Sequence, residues 1–379
     1  MGSLAGEIGL DAFGIASADK FESTFRDLVE RKAAGLSATM EFTYRNPSRS
    51  TDPAQIVPGA RAIFVGALSY RRSAPATSGP IGSAQGQVAR YSWRDNYAIL
   101  RDKLEPIASA LRKEGWKAKV VCDENALVDR EAAYRAGIGW YGKNSMLLIP
   151  RKGSWFLLGS VITDAPLPTL DSRAADGCGS CSKCITACPT GAIISPGKVD
   201  ARRCLAWLLQ APGDFPIEFR EALGSRIYGC DECQIVCPPN RLADRRDPPM
   251  NAGQSEEPWV DLVWIILATD SELLERFGRW YIPARDPRYL RRNALVALGN
   301  TVAQGNTVAL GNTVALGNTV AANDPRALEA VETAMSSDDP MISSHALWAY
   351  EKFPLVKISV LPDKIKAKSS VLPDKKVKV

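Results

Sequence analysis

The sequence predicts an α+β chain of more than one domain, on three observations. Residues 1–170 alternate strand and helix signals, as an α/β layer does. Residues 171–245 carry eight cysteines in a fixed rhythm between Cys178 and Cys237. Residues 246–356 then read as helices, interrupted by a repeated hexapeptide and followed by a basic tail. The 379 residues are 45% apolar and 23% charged, ordinary values for a globular chain with ample core.

In the first part, Ala12–Ala16 reads as a short strand. Phe21–Ala34 reads as a helix with Phe25, Leu28 and Val29 on one side. Ala62–Leu68 is an unbroken apolar run of strand length, which fits a buried strand. Tyr97–Lys113 places Leu100, Leu104, Ile107 and Leu111 on one helix face. Trp116–Val121 and Ser154–Ile162 read as strands, with a helix between them over Asn125–Ala136.

The cysteines open as Cys178-x2-Cys181-x2-Cys184-x3-Cys188-Pro189. That is the bacterial ferredoxin pattern, in which the fourth thiolate serves the other cluster. The second run, Cys230, Cys233 and Cys237 before Pro238, lacks a leading cysteine, and Cys204 replaces it. The crossed assignment puts Cys178, Cys181, Cys184 and Cys237 on one [4Fe-4S] cluster. Cys188, Cys204, Cys230 and Cys233 then hold the other. A zinc ribbon needs four ligands, not eight in this rhythm. Thiolates held for iron need a reducing compartment, which points to the cytoplasm. No apolar run reaches the length of a membrane span, and the N-terminus does not read as a signal peptide. Cys122, the ninth cysteine, reads as a small buried thiol.

The helical end comprises Val260–Phe277, Tyr289–Leu298, Arg326–Met335 and Ile342–Phe353. Paired short helices suggest a HEAT-like solenoid. Gly299–Ala322 holds four copies of a hexapeptide, and a glycine every six residues disfavours a helix there. A loop between two solenoid helices is the expectation. The tail, 357–379, has seven Lys and two Asp, which equals the net charge of +5 for the whole chain. It reads as flexible.

A single histidine, His345, removes Ser-His-Asp chemistry, histidine zinc sites and bis-histidine haem. It sits in an Ala/Leu/Trp helix and reads as a packing or surface residue, so acid–base work falls to other groups. Gly137-Ile-Gly139-Trp-Tyr-Gly142 matches a dinucleotide fingerprint, but a helix precedes it and a strand follows, the reverse of the required context. A glycine turn that lets backbone approach a large ligand fits better. Asp123 ends a predicted strand just before a predicted helix. It reads either as that helix's N-cap or as a proton donor beside a pocket. Arg276–Arg292 holds six Arg and one Asp with Trp280, Tyr281 and Tyr289 interleaved, a surface suited to RNA phosphates and unstacked bases.

Taken in order, these residues resemble the epoxyqueuosine reductases, the cobalamin-dependent iron–sulfur enzymes of queuosine tRNA modification. The most specific pieces are Arg130-Glu131 with Ala136–Asn144, then Gly153–Gly159, Cys188–Ile193, Gly229–Gln234, Arg292–Asn300 and His345–Trp348. The resemblance implies a base-off cobalamin, without a histidine ligand, in an N-terminal domain of residues 1–170. A ferredoxin-like domain at 171–245 and a tRNA-binding helical domain at 246–356 follow. Cobalt reduced through the clusters opens the epoxide of epoxyqueuosine in the tRNA anticodon loop, which becomes the alkene of queuosine. The family's catalytic aspartate lies seven residues before the arginine of a Glu-Arg pair. Arg130 matches that arginine, which puts the acid on Asp123. Implied cobalamin contacts are Tyr91, Asp123, Lys143, Asn144, Ser154, Trp155 and Asp231. Implied tRNA contacts are Arg276, Arg279, Arg285, Arg288, Arg291 and Arg292. The implied partners are tRNA and an external electron donor such as a flavodoxin or ferredoxin system, with the chain a monomer.

The chain departs from the family at Cys122-Asp123-Glu124-Asn125, which lacks a proline and leaves Glu124 as the fallback acid. It departs again at Asp129-Arg130-Glu131, where the Glu-Arg order is altered, and at Tyr97, which stands where the family has histidine. The competing reading is a reductive dehalogenase-like enzyme of a small molecule, a class that usually carries a twin-arginine signal.

Overall fold

The computed structural model describes residues 6–73, 83–169, 173–305 and 324–353. The chain forms two compact units. One is drawn from Met1–Pro75, Val88–Ala211 and Tyr228–Pro258, the other from Ala76–Gln87, Pro212–Ile227 and Trp259–Val379. No helix among the described residues is long and apolar enough to cross a membrane.

The first unit is built on strands β1 Ala12–Ser17, β2 Ala62–Ser69, β3 Ala118–Val121 and β4 Phe156–Thr163. Their order is β1-β2-β4-β3, and every neighbouring pair is antiparallel. Three helices accompany them: α1 Glu22–Ala33, α2 Asn96–Lys113 and α3 Asp129–Arg135. Successive β2 side chains point to opposite faces, and both faces are covered. Ile63, Val65 and Ala67 pack with Leu127, Ala132 and Ala133 on the α3 side. Phe64 and Leu68 pack with Leu100, Leu104, Ile107 and Leu111 of α2. That double burial is why the β2 run contains no polar residue before its last position. Each fully buried Leu or Ile of α2 contributes about 1.5–3 kcal/mol.

Two local expectations change. Val29, expected on the packed side of α1, is 45% exposed, whereas Phe21 and Leu28 are buried. The helix expected from Asn125 begins only at Asp129. The glycines of Gly137–Gly142 serve a hairpin, Trp140–Tyr141 against Leu147–Leu148. A Cβ on Gly139 would collide with the Leu148 carbonyl, so the close approach is to this hairpin's own backbone.

In the cysteine segment, each run folds as a loop with a single helical turn, Lys183–Thr186 and Glu232–Ile235, and the two turns pack together. Cys204 is the N-cap of Leu205–Leu208, and Cys237 that of Pro238–Arg246.

The second unit contains α4 Leu262–Leu267, α5 Asp270–Phe277, α6 Arg288–Gly305, α7 Pro325–Met335 and α8 Pro340–Tyr350. α6 packs on α4 and α8, and α7 on α4 and α8. The single helix expected over Val260–Phe277 is broken at Thr269, whose side chain and Glu272 form a capping box. The loop expected at the hexapeptides is corrected for its first copy, which continues α6. There Asn300 donates to the carbonyls of Arg220 and Gly224. A Cβ at Gly299 would stand 2.8 Å from Trp348, so tertiary packing outweighs the helix penalty of glycine. The later copies and the tail lie outside the described residues.

Candidate active site

β3 ends at Val121, Cys122 is fully buried, and the backbone then turns through Asp123 at φ 54°. This is left-handed space that a residue with a Cβ enters at a strain of about 1–3 kcal/mol. The N-cap of α3 is Val128, so the N-cap reading of Asp123 does not survive. Its side chain stays exposed, yet protein surrounds the carboxyl closely enough that desolvation raises it above the ordinary range. Arg130 and Arg101 draw it back down, and Tyr97 hydrogen-bonds to it. Arg101 also donates to the Cys122 carbonyl at 3.2 Å. Burial raises Tyr97 and Tyr91 too, though neither is closed to solvent. Groups that are hemmed in but still reach solvent cluster at this loop.

Behind this loop, Asp129 carries one carboxyl oxygen that is shut from water with no hydrogen-bond partner. Desolvation, and then the charge of Asp123, hold its carboxyl well above the ordinary range. Its other tie is a hydrogen bond from the backbone of Asp123. Asp129, Arg101 and Tyr97 are the neighbours that a one-residue reading of Asp123 missed. In the sequence they signal themselves only through the altered Asp-Arg-Glu order and the Tyr97 replacement.

The expected cobalamin contacts divide. Tyr91 is half-buried, takes a hydrogen bond from Gln210 at 3.4 Å and lies 6.2 Å from the Tyr228 ring. Asp231 accepts from the Arg90 backbone at 2.8 Å, tying the loop of Cys230 to the segment that carries Tyr91. Lys143 donates to the Gly179 carbonyl at 2.7 Å, and Asn144 to the Cys233 carbonyl at 3.3 Å. Both brace cysteine loops. Ser154 and Trp155 are each 1% exposed. The Ser154 hydroxyl donates to Gln234 at 2.9 Å, and the Arg90 guanidinium lies 4.5 Å over the Trp155 ring. As direct ligand contacts these two do not fit, because they present almost no surface.

All nine cysteines are free of disulfides. The thiols acting electrostatically on Cys237 are Cys178, Cys184 and Cys181. Cys188 acts on Cys204, and Cys230, Cys204 and Cys184 act on Cys233. Thiols of each expected set thus neighbour one another, Cys184 of one set also acts on Cys233 of the other, and among the described residues no three of these groups stand close enough to cage a metal ion. Burial raises Cys204, and Cys237 to about 11, while the backbone N–H groups of Ala206 and Trp207 at Cys204 and of Asn240 at Cys237 draw them part of the way back. This donor set fits two cubanes.

In the second unit, the arginine stretch is not one surface. Arg276, Arg279, Arg285 and Arg288 are exposed. Arg276 lies 4.7 Å over Trp264 and Arg279 5.6 Å over Trp280. Arg285 donates to Gly278 at 2.7 Å, and Arg288 pairs with Asp286 and Asp339. Arg291 is held by Asp270 at 2.6 Å and by the Ala268 carbonyl. Arg292, expected to meet RNA, is 0% exposed. It donates to the Gly213 carbonyl and Asn293, which removes it from any phosphate-binding role.

His345 is fully buried in the same unit. Nδ1 donates to the Met341 carbonyl at 2.7 Å, and Nε2 accepts from the Phe215 N–H at 3.1 Å. With both ring nitrogens engaged, the chain's one histidine is no metal ligand, which fits a cobalamin bound without a histidine. Tyr91, Tyr97 and Asp123 lie close enough to act on one another electrostatically and keep surface open to a ligand.

The family model described as "Epoxyqueuosine reductase QueG, DUF1730" matches residues 50–124, and the "4Fe-4S double cluster binding domain" matches 177–240. The epoxyqueuosine reductase of Bacillus cereus is 36% identical over 299 residues, 77% of each chain. An epoxyqueuosine reductase solved with an epoxyqueuosine-modified tRNA-Tyr stem loop matches at TM-score 0.78 and 32% identity, over 92% of this chain and 88% of that one. The Bacillus subtilis enzyme, solved with its catalytic aspartate loop swung out of the active site, matches at 0.73 and 30% identity, over 93% of this chain and 97% of that one. Family models, sequence relative and solved structures agree with one another, and the chain belongs to the epoxyqueuosine reductase family, oxidoreductases that use cobalamin and two [4Fe-4S] clusters.

Proposed function

We propose that this chain reduces epoxyqueuosine to queuosine in the anticodon loop of tRNA, with Asp123 as the proton donor. The observation that carries the assignment is the Asp123 carboxyl: exposed at the end of β3, held by Tyr97, and raised above the ordinary range by desolvation. Bound cobalamin, reduced through the clusters, would supply the electrons. The residues of the chain do the rest. Tyr97, Arg101 and Asp129 hold the loop and aim the acid. Asp123 gives its proton to the oxygen that leaves the ring, because an oxyanion in a desolvated site is costly. Asp129 is the more enclosed carboxyl, and its desolvation disfavours a second negative charge beside Asp123.

We read residues 1–170 as the cobalamin domain, 171–245 as the ferredoxin-like domain and 246–356 as the HEAT-like tRNA-binding domain. The crossed cysteine sets given above are the proposed cluster ligands. Arg276, Arg279, Arg285 and Arg288 are the proposed phosphate contacts. The electron donor is external, of flavodoxin or ferredoxin type, and the enzyme works as a cytoplasmic monomer.

Asp123→Asn keeps cobalamin and iron and loses on the order of 10² or more in turnover. A general acid must be protonated, so wild-type turnover falls as pH rises through the raised Asp123 value. The variant lacks that limb. Near-wild-type turnover in Asp123→Asn sinks the assignment and moves it to Glu124.

A further inference from the structure

Opening an epoxide to an alkene and water consumes two electrons and two protons. A [4Fe-4S] cluster passes electrons one at a time, so a donor must meet the surface repeatedly and briefly. The two cysteine sets differ in access. Near Cys204 and Cys233 lie Leu205, Trp207 and Gln234, all buried. Around Cys178, Cys181 and Cys184, the residues Gly179, Ser180, Ser182 and Lys183 are all exposed. The set completed by Cys237 is the outer one.

Beside it lies an unpartnered helix face. In Pro238–Arg246, Asn240 and Ala243 are buried, while Arg241, Leu242 and Arg245 are exposed on the other side. The turn Glu232–Ile235 packs on this helix and on Lys183–Thr186, which brings Ile235 and Lys183 into the same neighbourhood. Leu242 is 46% exposed and Ile235 39%. Lys183, Arg241 and Arg245 have no side-chain hydrogen bond or ion pair among the described residues. The acids at the end of this helix are already taken: Arg71 pairs with Asp244 at 3.4 Å and with Asp247. What remains is three uncompensated cations around two exposed apolar side chains, one helix turn from Cys237.

We infer that this face docks a small acidic one-electron carrier protein, a reduced ferredoxin- or flavodoxin-like donor, which passes its electron to the cluster of Cys178, Cys181, Cys184 and Cys237. In each encounter the carrier is oxidised by one electron and the cluster reduced by one, and two encounters supply one turnover. The apolar centre excludes water, and the cations steer the approach. Transient redox contacts of this kind are small and salt-sensitive. The inference deepens the proposed function, resting on its two-cluster reading and adding the place where electrons enter.

The test uses the holoenzyme and measures the rate of cluster reduction by a reduced acidic ferredoxin and, separately, by dithionite. Wild type loses its ferredoxin rate as ionic strength rises. R241E/R245E loses on the order of tenfold at low salt and becomes nearly salt-independent. Its dithionite rate, iron content and tRNA affinity stay at wild-type values. L242D, which leaves the cations in place, weakens the ferredoxin reaction while keeping its salt dependence. A ferredoxin rate unchanged in both variants overturns the inference, and so does a fall in tRNA affinity with the donor rate intact, which would give the face to RNA. Wild-type protein without dithionite-reducible clusters would count against the two-cluster reading itself.

Discussion

Each unit holds a knot of titratable groups far from their ordinary ionisation, and the two knots differ in access to water. In the first unit, Asp123, Tyr91 and Tyr97 are shifted by burial yet remain open. In the second, Arg220, Arg292 and His345 are shifted by burial and are closed. Burial takes Arg292 down to about 10. Burial, and then the charge of Arg220, take His345 down to about 4. Perturbed ionisation marks functional sites only probabilistically. The open knot is where we propose the chemistry. The closed one joins Phe215, Arg220 and Gly213 to α6 and α8, as a structural clasp.

The contrast is tested most severely at Arg292. Arg292→Ala leaves the Gly213 carbonyl and Asn293 without their donor and opens a cavity. It should lower the stability of the second unit by about 3 kcal/mol or more, read by denaturant unfolding. A drop under about 1 kcal/mol would mean that water, and so RNA, reaches this guanidinium after all.

A somewhat smaller effect belongs to His345. Its folded value, about 4, lies below the ordinary 6.5. The stability it confers is therefore complete above pH 6.5 and is lost as pH falls from 6.5 towards 4, by on the order of 3 kcal/mol. His345→Gln should flatten the acid side of the stability profile in that window. An unchanged slope would mean that the ring is not closed off.

The smallest stability change is expected at the open arginines. Arg276→Ala with Arg279→Ala removes cation–π interactions worth about 0.5–1 kcal/mol each at exposed sites. Its main effect should be on the salt slope of tRNA binding, which falls by roughly 0.7 to 0.9 for each phosphate that the protein no longer neutralises. Normal tRNA binding in the double variant would move the RNA surface elsewhere.

Much of this is readable in the residues, and the misses have particular causes. The face of α2 is legible because helical periodicity is local, and Leu100, Leu104, Ile107 and Leu111 are all buried as it requires. Arg291 and Arg292 look alike in a charge count. On α6, adjacent residues point about 100° apart, so one meets Asp270 and the other enters the core. No periodicity signal announces the left-handed turn at Asp123. That turn is held by α2 and by Asp129, distant in sequence or across a loop.

Sequence by itself determined the family, the eight cysteines able to hold two clusters, and the presence of one histidine in the whole chain. Those follow from residue identity and spacing, which folding does not alter. Tertiary structure alone decided which charges face water. It carried the first hexapeptide into α6, shut Arg292 and His345 away, and left Asp123 open at the end of β3. The physical reason is that burial depends on what packs against a residue from elsewhere in the chain, and desolvation, more than residue type, sets whether a charged group binds, reacts or only holds the fold together.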